Sequence, residues 1–159
     1  MTRTKKQWLK AAPWEAVLAL NKALCQAQKF EPLNNEKGYE PARRLWEKSV
    51  EATLSLPETL EVCNKCHGLG PFTFNNGNTF AAIGRTLIDE CLKAAPPVEA
   101  QIIRTTVCHY IVGLIGRKEL QQVLRHFEPL LDSSPSTTPR AQTESPRLTP
   151  LQQEQRAPA

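Results

Sequence analysis

The sequence has few aromatic residues and no long hydrophobic run. Only 6% of its 159 residues are Phe, Trp or Tyr, so a folded core must be mainly aliphatic. The longest strongly apolar stretch, residues 107–115, is interrupted by His109 and is about half as long as a membrane-spanning helix. The basic start is not followed by the uninterrupted apolar run of a secretory signal. We therefore predict a cytoplasmic protein with no membrane segment and with reduced cysteines.

Motifs of catalysis are also missing. The sequence contains no Ser-His-Asp pattern, no Gly-rich phosphate loop, no His-Glu-x-x-His and no close carboxylate pair in an apolar setting. These absences predict that the protein is not an enzyme. With 40% hydrophobic residues, the chain nevertheless has enough apolar side chains for a core, and its length predicts one domain.

The excess of positive charge lies at the start of the chain. Arg3, Lys5, Lys6 and Lys10 precede every acidic residue and account for the whole net charge of +4. Residues 11–131 are neutral, with 13 basic and 13 acidic side chains. Residues 1–12 are therefore predicted to form a basic arm. A nucleic-acid-binding regulator, which is one alternative function, would depend on the phosphate contacts of these four cations.

The helical period and the positions of proline predict an all-α fold. Prolines stand where first helical turns are expected, and Ser55-x-x-Glu58 matches a capping box. Residues 13–131 are predicted to form a compact bundle of about five to six helices. The helix over residues 98–115 is apolar on nearly every side in its second half, which is typical of a wholly buried helix. The predicted helices span residues 13–28, 41–54, 57–66, 80–95, 98–115 and 117–131, and Asn78 or Thr79 is the predicted cap of the fourth.

Two segments are predicted to be non-helical. Residues 71–78 alternate apolar and polar side chains and contain Asn-Gly, so they are predicted to form a short ordered loop or hairpin. Residues 132–159 are rich in Pro, Ser, Thr and Gln and hold five of the 13 prolines. This composition cannot repay the entropy of ordering, so a disordered tail is predicted.

One cluster of residues could carry metal or thiol chemistry. Cys63 and Cys66, three residues apart, could chelate zinc if two further ligands came from Cys91, Cys108 or His109 on other helices. The competing interpretation is core packing, because free cysteine is among the most buried residue types. Packing is the leading interpretation, with no cofactor, and zinc is the alternative.

The residues from Cys63 to Gly70 also resemble one repeat of a known motif. Cys-x-x-Cys-x-Gly-x-Gly is similar to a single copy of the repeat in the DnaJ-type zinc-binding domain, over eight residues. The resemblance implies zinc bound by two cysteines from each of two repeats, whereas this chain has one copy and no His-Pro-Asp motif. Cys63-x-x-Cys66-His67 also fits the spacing of c-type haem attachment, and Cys-x-x-Cys fits a thiol redox pair.

The leading functional hypothesis is a non-enzymatic interaction or regulatory module. Its partner would be another protein or a second copy of the chain. The hypothesis depends on the missing catalytic motifs and on the expectation that Trp8, Leu9 and Trp46 are exposed, beyond what a small core needs. A nucleic-acid-binding regulator and a small zinc or thiol-redox protein centred on Cys63 and Cys66 are the alternatives.

Overall fold

Helices make up most of the computed structural model, which describes residues 4–132. Within that range the predicted all-α bundle is confirmed, and no β-strand forms beyond two isolated bridges. No helix in this range combines the length and the apolar character needed to cross a membrane. The helices are α1 (Trp14–Ala27), α2 (Tyr39–Val50), α3 (Leu56–Leu69), α4 (Asn76–Cys91), α5 (Pro97–Ile111), α6 (Arg117–His126) and α7 (Glu128–Asp132).

The start of α3 is fixed by the capping box that the sequence predicts. The Ser55 backbone N–H donates to a Glu58 carboxylate oxygen at 2.7 Å, and the Glu58 N–H donates to the Ser55 hydroxyl at 3.3 Å. Pro57 lies in the first turn, and Gly70 ends the helix in the left-handed region, with φ of 60°. Local sequence therefore determines both ends of α3.

Helix α4 lies at the centre of the bundle. It packs most extensively against α5 and also contacts α3 and α1. Gly84 on α4 lies against Ile111 of α5, and a methyl group at Gly84 would overlap with the end of that side chain. The absence of a side chain at Gly84 therefore lets the two helices approach closely.

Part of the core is a cluster of aromatic rings. The ring centroids of Trp14 and Phe72 are 6.0 Å apart, those of Phe72 and Phe80 are 6.4 Å apart, and those of Phe80 and Trp46 are 5.7 Å apart. The cluster joins α1, α2, α4 and the loop before α4, and Trp8 and Tyr110 are buried elsewhere in a mainly aliphatic core. Aromatic rings bury large areas, so a small number of them holds several elements together.

The predicted exposure of Trp8, Leu9 and Trp46 is wrong. Their exposed fractions are 6%, 0% and 0%. Lys6 exchanges two backbone hydrogen bonds with Leu54, at 2.9 and 3.0 Å, and the Trp46 indole N–H donates to the carbonyl of Ala12 at 2.8 Å. These long-range bonds dock the start of the chain on the bundle.

The prediction that the helix after residue 98 is wholly buried is also wrong. Val98 is 70% exposed, Ile102 44% and Leu114, just after the helix, 70%. Helix α5 packs against α3, α4 and α6 through Ile103, Val107 and Ile111, which are fully buried. Its opposite side has no covering element within residues 4–132.

The segment around residues 71–78 forms a loop and no hairpin of its own. Helix α4 begins at Asn76, after a cap at Asn75 in the left-handed region with φ of 63°, and this cap lies at least three residues before the predicted one at Asn78 or Thr79. The loop pairs instead with the α1–α2 connection, because the Thr73 N–H donates to Leu33 and the Asn35 N–H donates to Pro71, both at 2.9 Å.

The C-terminal part of the chain differs from the prediction at one point. The predicted last helix is divided into α6 and α7, with a break at Phe127. Pro129, which cannot donate a backbone hydrogen bond, lies in the first turn of α7. The predicted disordered tail begins at residue 132, and residues 133–159 lie outside the described part of the chain, as does Arg3.

Candidate functional site

The two cysteines of the Cys-x-x-Cys motif are packed inside the bundle. Cys63 and Cys66 on α3 are both 0% exposed, and the Cys66 thiol lies 3.7 Å from the carbonyl oxygen of Ala42. Burial raises the pKa of the Cys63 thiol, and the neighbouring Cys66 raises it further. Burial also raises the pKa of Cys66 to about 12. Both groups are therefore neutral thiols at physiological pH, whereas the thiolate is the nucleophile in redox exchange.

The other two cysteines of the predicted zinc set lie elsewhere on the bundle. Cys91 is buried near the end of α4, and Cys108 lies half-buried on α5 with its thiol 3.9 Å from the carbonyl oxygen of Ala81. Among residues 4–132, no three His, Cys, Asp or Glu side chains form a group that could hold a metal ion. The structure thus does not bring the sulfurs of Cys63, Cys66, Cys91 and Cys108 together. Cys63, Cys66 and Cys91 are buried, and Cys108 is partly buried.

Lys5, Lys6 and Lys10, the described members of the four cations predicted to contact nucleic acid, do not line one cleft. Lys5 lies 3.4 Å from a carboxylate oxygen of Glu58, beside a cleft against α3 and α6. Lys6 and Lys10 line a different cleft, against α4. The extended backbone at Lys5 and Lys6 sends neighbouring side chains to opposite sides, as in a strand. A continuous basic surface along residues 5–10 is therefore not present.

The outer face of α5 carries two exposed apolar side chains. Val98 and Ile102 are one helical turn apart, and they line a shallow hollow of about 530 Å³. The other residues that line the hollow are Pro97, Gln101, Thr105 and Thr106, so no charged side chain borders it. Nearby Arg104 is turned away to pair with Asp89 of α4. Contiguous exposed apolar patches, where they are large, mark protein contact sites.

A second apolar patch is formed by two loops. Phe30 and Phe74 are 45% and 39% exposed, and their rings stack with centroids 4.7 Å apart. The two rings cover one face of each other, which removes part of their apolar area from water. Within residues 4–132 the α5 face has no such partner, and it is therefore the stronger candidate for an interaction surface.

Comparison of the sequence with protein-family models, and of the chain with curated proteins and with solved structures, returned no match. The proposed function is therefore based on the residues of this chain alone.

Sequence reasoning missed both apolar patches. It assigned α5 to the interior because the helix carries apolar residues on several sides, although the spacing of Val98 and Ile102 could have indicated a second apolar stripe. Phe30 and Phe74 are 44 residues apart in the chain, and only the pairing of their loops brings the rings together. No local signal could have predicted that stack.

Proposed function

We propose that the protein is a non-enzymatic interaction module and that the outer face of α5 is its docking surface. The observation that carries the proposal is the exposure of Val98 and Ile102 on an uncharged helix face. Burial of such side chains against another protein is favourable, at about 25 cal/mol per Å² of apolar area removed from water.

The partner we propose for this face is a second copy of the chain. Because the lining of the hollow is uncharged, two copies of the face do not repel each other when they meet across a two-fold axis. A helix of 15 residues is about 22 Å long, so the contact is small and the dimer is expected to be weak.

The test is the molar mass of the full chain by size-exclusion chromatography with light scattering, over a series of protein concentrations. We expect the mass to rise with concentration. In the Val98→Glu/Ile102→Glu variant, two buried charges would oppose the contact, so this variant is expected to stay monomeric.

A matched control places the same two charges elsewhere. Ala19 and Ala23 are exposed and four residues apart on α1, as Val98 and Ile102 are on α5. The Ala19→Glu/Ala23→Glu variant should associate like the wild type. A wild-type chain that stays monomeric at about 1 mM, or equal association of both variants, would contradict the proposal.

A further inference from the structure

The cleft between residues 6–11 and α4 combines positive charge with an apolar floor. Its volume is about 530 Å³. Trp8, Ala11 and Leu87 supply apolar surface, and Lys6 and Lys10 supply two cations at the edge. This arrangement differs from the α5 face, where no charged residue borders the hollow.

The two lysines have no carboxylate partner within the described residues. The acidic group that lines the cleft, Glu90, is already paired with Lys93 at 2.8 Å. The Lys6 ammonium instead lies 3.8 Å above the centre of the Trp8 ring. Because Lys93 offsets the charge of Glu90, the cleft keeps a net positive charge that an anionic ligand would neutralise.

A second, independent feature of the cleft is an unsatisfied donor. The indole N–H of Trp8 is buried and has no hydrogen-bond acceptor within the described residues. It is the one buried side-chain N or O atom there that lacks a partner. Trp8 itself is 94% buried. Buried donors are nearly always paired, and Trp8 lines the cleft, so this donor would gain an acceptor if its ring turned toward a ligand there.

We infer that this cleft binds a short acidic peptide segment of another protein. An apolar side chain of the peptide packs against Leu87 and Ala11, its carboxylates lie against Lys6 and Lys10, and a backbone carbonyl accepts from the Trp8 N–H as the ring adjusts. The apolar floor and the presence of only two cations favour a peptide over a nucleic acid, whose affinity depends mainly on many phosphate contacts. This site does not depend on the α5 face.

The test uses the full chain and a blocked synthetic peptide of alternating Glu and Leu, with binding followed by calorimetry and by tryptophan fluorescence. We expect saturable binding that weakens as salt is added. Peptides with Gln in place of Glu, or Ala in place of Leu, should bind less tightly. An oligothymidylate of similar length is the nucleic-acid probe, and it should not compete with the peptide.

The decisive comparison is between neighbouring lysines. Lys6→Ala/Lys10→Ala should raise the peptide Kd about tenfold, whereas Lys5→Ala, which removes a charge outside the cleft, should leave it within about twofold. Thr86→Glu on the exposed α4 wall should weaken binding without disturbing the core. Circular dichroism would check that every variant is folded.

Three results would overturn the inference. They are no saturable binding up to about 1 mM peptide, a loss of binding free energy for Lys5→Ala at least half as large as for Lys6→Ala/Lys10→Ala, and oligothymidylate binding tighter than the acidic peptide. The second result would show that the peptide is attracted by the net charge of the protein and not by the two lysines of the cleft. The third would favour the nucleic-acid interpretation.

Discussion

Residues 4–12 and helix α5 differ in how regular they are and in how much apolar surface they bury. The first segment contains no helix, yet Trp8 and Leu9 are buried. Helix α5 has 15 residues and leaves Val98 and Ile102 exposed. A helix satisfies its own backbone hydrogen bonds, so it forms with one side uncovered, whereas an irregular segment needs partners elsewhere in the chain. Burial therefore depends on the number of neighbouring elements rather than on local regularity.

The largest effect is expected from Leu9→Ala. Leu9 is fully buried, so removing its side chain should lower the free energy of unfolding by about 2–5 kcal/mol, measured by urea denaturation. Lys10→Ala, at the exposed next residue, should change it by less than about 0.5 kcal/mol. Equal effects of the two variants would show that the start of the chain is not docked in solution.

A smaller, pH-dependent effect is expected where the same segment meets α3. Hydrogen bonds from Ser55 lower the pKa of Glu58, and the nearby Lys5 lowers it further. Since the pKa is lower in the folded than in the unfolded state, the charged carboxylate stabilises the fold at neutral pH. This contribution is lost as the pH falls through the lowered pKa.

The Glu58→Gln variant tests the direction of this pH dependence of stability. The Tm of this variant should lie below that of the wild type at pH 7, and the difference should shrink as the pH falls through the carboxylate range. Glu31→Gln, at an exposed loop position, is the control and should show a smaller dependence on pH. A Tm difference for Glu58→Gln that does not change with pH would exclude this role of the carboxylate.

The same comparison explains what could be predicted from the sequence. The helices and the capping box at Ser55 depend on residues close together in the chain, so periodicity and spacing predict them. The docking of Lys6 on Leu54 and the position of Cys108 relative to Cys63 depend on tertiary packing. Sequence patterns therefore placed the cysteines on helices but could not decide whether their sulfurs meet. They also could not show which side of α5 lacks a neighbour.

The smallest effect is expected from Ile102→Ala, and its neighbour in the chain provides the control. Ile102 is 44% exposed and Ile103 is 0% exposed, although both are isoleucines in the middle of α5. In dilute solution, Ile102→Ala should lower the free energy of unfolding by less than about 1 kcal/mol, and Ile103→Ala by about 2–5 kcal/mol.

Protein concentration then distinguishes an uncovered face from one covered by a second copy. A dimer that forms through α5 stabilises the folded chain by mass action, so the wild-type Tm should rise with concentration. The cost of Ile102→Ala should rise in parallel, while the cost of Ile103→Ala stays constant because that side chain is buried in the monomer. If Ile102→Ala already costs as much as Ile103→Ala in dilute solution, the outer face of α5 is covered within the monomer, and the contrast with residues 4–12 does not hold.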